Sequence, residues 1–143
     1  MADREIVDAL ISTYRNLNMK VRPLPEERLR VKGGAGSVHE VVRSLRDDEL
    51  RFSQSLKEKI SGVPPSGDIL GDTAARAAEG GDTTSTMLAQ FGTARESTLA
   101  MLRALPDAEW GAGDNDSVRS MATRQVASDK QHMDQIVGLL GSP

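Results

Sequence analysis

The stretch SVHEVVRSLRDDELRFSQSLKEKI, residues 37–60, decides the fold class. Val38, Val42, Leu45, Phe52 and Leu56 recur at helical spacing, which places them on one face of an α-helix. Ser37 followed by Glu40 has capping-box spacing: the serine oxygen takes a backbone N–H three residues on, and the glutamate reaches back. Gly33, Gly34 and Gly36 precede the start, and Gly62, Pro64 and Pro65 follow an expected end near Ile60. One position breaks the apolar line, because Glu49 sits on it.

Working outward, the same period recurs in three other segments. From about Asp3 to Met19, Ile6, Val7, Leu10, Tyr14 and Leu17 share a face, and Pro23 and Pro25 end the helix. A third helix runs from Thr83 or Thr84 to Ala104, capped by Asp82 or Thr83. Its line is Met87, Phe91, Ala94, Thr98, Met101 and Leu105, and Pro106 terminates it. A fourth opens after Asp114-Asn115-Asp116-Ser117 and runs to about Leu140, where Gly141 supplies a stop. Four amphipathic helices with almost no strand-like alternation predict an all-α four-helix bundle, one domain over residues 1–143. The connection from Ser61 to Asp82 holds five glycines and two prolines, with room for a helical turn at Thr73–Glu79. Links this long inside one domain are uncommon and are usually functional or mobile.

Composition narrows the chemistry. The chain has no cysteine, which excludes disulfides, cysteine-ligated zinc, iron–sulfur clusters and thiol nucleophiles. It has two histidines, His39 and His132, so one chain cannot build a three-histidine metal site. A net charge of −3 gives no electrostatic reason to expect nucleic acid as a partner. Arg15 to Lys32 carries six basic residues against Glu26 and Glu27, enough to attract an anion, but no aromatics accompany them for base stacking. Asp3, Arg4 and Glu5 interrupt the start before any apolar run, so no signal peptide is expected. No stretch approaches the length of a membrane span, so neither a membrane partner nor a location outside the cytoplasm is expected.

The most informative pattern is a polar notch in two core lines. The last helix reads Val118, Ala122, Gln125, Asp129, His132, Ile136, Leu139, apolar at both ends and polar in the middle. If this line and that of residues 37–60 both face inward, Glu49, Gln125, Asp129 and His132 converge. Buried charges need partners, water or a metal. One reading is mutual pairing, or pairing with Arg43, Arg124 or water. The other is a divalent cation held by Glu49, Asp129 and His132, a set suited to zinc, manganese, nickel or iron. His39 lies off this line and reads as a surface residue, and Asp47 and Asp48 read as a solvated helix face. Ser128 and His132, at i and i+4, would form a nucleophile pair with an acid, but no oxyanion donor accompanies them. Gly33, Gly34 and Gly36 would offer an anion their backbone N–H groups.

Several motifs together resemble one family. They are Leu-Arg-Asp-Asp-Glu at 45–49, Leu-Ala-Gln-Phe-Gly-Thr-Ala-Arg at 88–95, Leu-Arg-Ala-Leu-Pro-Asp-Ala-Glu-Trp at 102–110, Ser-Val-Arg-Ser-Met at 117–121 and Asp-Lys-Gln-His-Met-Asp-Gln-Ile at 129–136. This order looks like the DinB-like superfamily of four-helix bundles, which includes thiol-dependent isomerases and transferases using mycothiol or bacillithiol. The resemblance implies a divalent metal on three side chains. One is a histidine five residues before an acid on the second helix; the others are a His/Glu-x-x-x-His pair on the last. With the acid at Glu49, these positions fall at Ser44, Ser128 and His132, so serine replaces two ligands. A hydroxyl is a poor substitute for imidazole toward transition metals. The resemblance also implies a homodimer.

Three functions follow. The first is a DinB-like bundle with a degenerate metal site, binding a small molecule in the bundle cavity or acting as a regulatory protein, with no cofactor. The second is a metal- and thiol-dependent transferase or hydrolase using the atypical Glu49, Asp129 and His132 set, with Gln125 beside it. The third is a structural homodimer with a sealed core. The residues alone leave the enzymatic and non-enzymatic readings open.

Overall fold

A computed structural model describes residues 3–34, 36–62, 82–111 and 117–141. These form α1 (Asp3–Lys20), a short α2 (Glu26–Leu29), α3 (Val38–Ser61), α4 (Thr84–Ala104), a 3₁₀ turn (Asp107–Trp110) and α5 (Val118–Gly141). The described residues contain no strand. No described helix is long and apolar enough to cross a membrane. The expected helical turn at Thr73–Glu79 and most of the long connection lie outside the described residues, as do Asp114, Asn115 and Asp116.

The helix ends follow local chemistry. Ser37 caps α3, its Oγ accepting the Glu40 N–H at 3.2 Å. The other half of the expected capping box is replaced: the Glu40 carboxylate is engaged by the Lys32 ammonium and the Ser37 hydroxyl. Gly62 ends α3 in the left-handed region at φ 72°, its N–H donating to the Glu58 carbonyl at 2.9 Å. Thr83 caps α4 through the Thr86 N–H, and Ser117 caps α5 through the Ser120 N–H. The short α2 was not foreseen. It carries Leu29 into the core and presents Glu26 to the N-terminus of α4, where both carboxylate oxygens accept the Thr84 N–H at 3.1 Å.

Two apolar clusters fill the bundle. One joins Ile6 and Leu10 of α1 to Phe52 and Leu56 of α3, Leu99 and Leu102 of α4 and Val118 and Ala122 of α5, with Trp110 of the 3₁₀ turn packed among them. The other joins Leu17 to Val38, Val42 and Leu45, to Met87 and Phe91, and to Ile136. The start of α1 therefore lies beside the ends of α3 and α4 and the start of α5. This makes α1 and α5 run one way and α3 and α4 the other. Each of α1 and α5 packs on α4 and α3 respectively, and α1 also packs on α5 and α3 on α4. Because α3 and α4 are parallel neighbours, the chain must return the length of a helix between them. A helix of 24 residues is about 36 Å long, and about 11 extended residues reach that far. A link of only a few residues cannot do this.

Gly92 shows how closely α1 and α4 approach. A Cβ built there would lie 2.4 Å from the Tyr14 hydroxyl and 2.5 Å from its ring. Tyr14 in turn packs on Phe91 with ring centroids 6.0 Å apart. Alanine in place of a mid-helix glycine normally stabilises by about 0.5–1 kcal/mol. Here Gly92→Ala is expected to destabilise by about 1–3 kcal/mol through overpacking. Urea unfolding checks this, and adding Tyr14→Leu is expected to restore most of the loss. A Gly92→Ala protein as stable as the parent would refute the close approach.

Candidate functional site

The polar notch forms a layer between the two apolar clusters. Glu49 lies between Leu45 and Phe52 on α3, and Asp129 between Ala122 and Ile136 on α5. Both are buried, and Gln125 is buried beside them. What they meet is Arg95 of α4, whose side chain is wholly buried. Its Nη1 donates to Asp129 Oδ2 at 2.8 Å and to the Leu10 carbonyl of α1 at 2.8 Å. Its Nη2 donates to Glu49 Oε1 at 2.8 Å and to Asp129 Oδ1 at 3.0 Å. The Gln125 amide nitrogen lies 3.5 Å from both Glu49 Oε1 and Asp129 Oδ1. The Arg95 guanidinium also stands over Phe91, 4.9 Å from the ring centroid.

Two carboxylates face one guanidinium, so a fully ionised layer carries a surplus negative charge. Burial pushes the Glu49 carboxyl above its ordinary range; Arg95 opposes that shift and Asp129 reinforces it. Burial works against the charge on Arg95 as well, but Asp129 and Glu49 outweigh it and raise the guanidinium above its usual pKa. A proton taken up by Glu49 would balance the layer. Among the described residues Arg95 Nε has no hydrogen-bond partner, and the Thr98 hydroxyl is the other group that favours an ionised Glu49.

The site residues read from the sequence divide into two groups. Glu49, Gln125 and Asp129 converge, but on Arg95, which occupies the point that the cation reading gives to a metal. His132 does not join them. It lies partly exposed at the α3–α5 edge, its Nε2 3.7 Å from Asp48 Oδ2. Ser128 is there too, its Oγ 3.4 Å from the same Asp48 oxygen. The acid stands between serine and imidazole, and no hydrogen bond joins Ser128 to His132 among the described residues, so the arrangement is not a proton relay for a serine nucleophile. Ser44 is exposed on α3. Among the described residues no three histidine, aspartate or glutamate side chains are grouped to hold a metal ion.

Three expectations are corrected. His39 is buried, not on the surface. Its Nδ1 lies 2.7 Å from Thr84 Oγ1 and 3.3 Å from Glu26 Oε1, and its Nε2 3.3 Å from the Arg43 guanidinium. Burial, with Arg30 and Arg43 nearby, lowers its pKa and favours the neutral ring. Asp47 and Asp48 are half-buried and paired: Asp47 takes two hydrogen bonds from the buried Arg46, and Asp48 faces Arg51, Ser128 and His132. The glycine loop turns inward, because Gly33 and Gly36 bond each other's backbone, N to O at 2.7 and 3.3 Å. Those two N–H groups are used within the turn and are not presented to an anion.

Arg95 is the residue that sequence reasoning passed over. It lies four residues after Phe91 and four before Leu99, on an apolar stripe where a cation is as much out of place as Glu49 is on α3. One misplaced cation and two misplaced acids on inward lines were the available signal. Openings large enough for a ligand lie away from Arg95, Glu49 and Asp129. One of about 770 Å³ is lined by α3 and α4, one of about 360 Å³ lies between α3 and α5, and one of about 600 Å³ opens between the α2–α3 link and the last turns of α5. Comparison with family models, curated proteins and solved structures gives no match to this chain.

Two measurements test the layer. Arg95→Met leaves two buried acids without their cation and is expected to cost about 3–5 kcal/mol, whereas the triple variant Arg95→Met/Glu49→Leu/Asp129→Leu regains most of it. Denaturant unfolding reads both; a triple variant no more stable than the single one refutes mutual pairing as the source of the loss. The second measurement is pH dependence. Because the folded pKa of Glu49 is raised, its contribution is complete below the unfolded value near 4.5 and is lost as pH rises through the folded value. The stability of the parent relative to Glu49→Gln is therefore expected to fall as pH climbs from 4 toward neutrality. A difference that stays constant over that range overturns the assignment.

Proposed function

We propose that this protein is a DinB-like bundle that binds a small molecule without a catalytic metal. One observation carries the metal-free part: the Arg95 guanidinium bonds both Glu49 and Asp129. The two buried acids that such a core offers a divalent cation are already paired with a side chain of the same chain. Replacing Arg95 by a metal would require expelling a guanidinium held by four hydrogen bonds. His132, the one imidazole on the last helix, faces Asp48 at the edge of the bundle. The binding part is supported by the clefts, whose volumes fall in the usual range for small-molecule sites. The centre of the bundle is filled, so the ligand belongs in a cleft between elements and not in an axial cavity.

Metal analysis of protein purified without a histidine tag tests the reading. No stoichiometric metal is expected, and zinc, nickel and manganese are expected to leave the melting temperature unchanged. Stoichiometric metal that disappears in Glu49→Gln and His132→Ala would replace this reading with a metal-dependent transferase or hydrolase. A ligand library that never raises the melting temperature would instead favour a purely structural bundle.

A further inference from the structure

The cleft between the α2–α3 link and the last turns of α5 gathers features that the charged layer does not use. It measures about 600 Å³. Val31, Leu139 and Leu140 give it apolar walls, and Arg28 and Lys32 stand among them. Lys32 is paired with Glu40. Arg28 has no ion pair among the described residues, and it is exposed. The cleft therefore combines cationic groups with a hydrocarbon surface, and Val31 is left 64% exposed beside it.

Glycines keep the space open. A Cβ at Gly34 or at Gly138 would meet nothing within 4 Å. Gly138 lies inside α5, where glycine is a poor helix residue, and its φ is not in the left-handed region that would favour glycine. A larger side chain there would project beside the apolar wall. Gly33 plays the opposite part: a Cβ on it would lie 2.6 Å from Leu139 Cδ2, so the link is already seated closely on α5. The opening is bounded by a fixed contact on one side and by missing side chains on the other.

We infer that this cleft binds a small amphipathic anion, with its anionic head at Arg28 and Lys32 and an alkyl tail against Val31, Leu139 and Leu140. Charge complementarity selects the head group, and the apolar wall selects the tail. Neither a simple inorganic anion nor a neutral alcohol satisfies both. This inference rests on the small-molecule reading above and names the site and ligand class for it.

The test measures melting temperature and calorimetric binding with octanoate, octyl phosphate, octanol, octylammonium, acetate and inorganic phosphate. Octanoate and octyl phosphate are expected to bind saturably and raise the melting temperature; the other four are not. Arg28→Ala/Lys32→Ala is expected to weaken octanoate at least about tenfold, the worth of one charge-assisted hydrogen bond. Gly138→Leu is expected to abolish binding while leaving the unliganded protein at least as stable. Gly34→Phe fills the same space from the link and gives a second, independent block. Octanoate binding that survives both blocks places the ligand elsewhere: it overturns this cleft and leaves the small-molecule reading intact. Equal binding of octanol or octylammonium overturns the anionic class. If neither octanoate nor octyl phosphate binds, the inference fails, and the broader reading fails with it only if a general ligand library also gives no shift.

Discussion

One side chain touches every long helix of the bundle. Arg95 belongs to α4 and bonds Glu49 of α3, Asp129 of α5 and the Leu10 carbonyl of α1. Desolvating three ionisable groups is costly, and their mutual attraction repays that only with good geometry. The geometry here is good: two parallel bonds to Asp129 and one to Glu49, all between 2.8 and 3.0 Å. The consequence is register. Sliding α3 or α5 by one turn would set a carboxylate against Phe91 or Leu99 and leave the guanidinium facing hydrocarbon. Apolar contacts on either side tolerate such shifts far better than a buried charge does, so the layer selects one axial alignment.

That alignment matters because the topology is not the simplest one. With α3 and α4 parallel and adjacent, the chain leaves one end of the bundle and re-enters at the other. Neighbours joined by tight turns have their relative position set by the turn, and this pair does not. Contacts between the helices must supply it. Arg95 and Glu49 do so at mid-height. At the start of α4, Glu26 accepts the Thr84 N–H and His39 bonds the Thr84 hydroxyl, fastening α2, α3 and α4 together. In the neutral ring that burial favours, Nδ1 can donate to Thr84 while Nε2 accepts from Arg43 of the same helix.

Much of this was legible in the sequence where the determinants are local. Helical periods, the Ser37 and Thr83 caps and the proline stops depend on residues a few positions apart, and the helices fall where those signals put them. The inward direction of Glu49, Gln125 and Asp129 was readable for the same reason. Their partner was not. Which cation meets an acid from another helix depends on the packing of four elements, and Arg95 shares its helix with no acid on the buried face. His39 was misread through the same gap: it sits one position from the apolar line, and the groups that bury it come from α2 and α4. The glycines at 33 and 36 look the same in sequence whether their N–H groups face a ligand or each other, and the backbone bonds between them decide it.

The position of the charged layer also governs where any ligand chemistry can reside. A bundle can place reactive groups on its axis, where low dielectric strengthens every electrostatic interaction. That location is available only if the charged groups there are not already paired with one another. In this chain the axis is committed to holding four helices in register, and a ligand competing for Glu49 or Asp129 would have to break the contact that aligns them. On the proposed reading a ligand would sit at the periphery, where a Cβ at Gly34 or Gly138 would meet nothing within 4 Å. Binding at the end of α5 would still be felt in the fold, because Leu139 and Ile136 lie on the same helix as Asp129 and share its register. A ligand that stiffens the last turns of α5 would therefore act on the same alignment that Arg95 maintains from the centre.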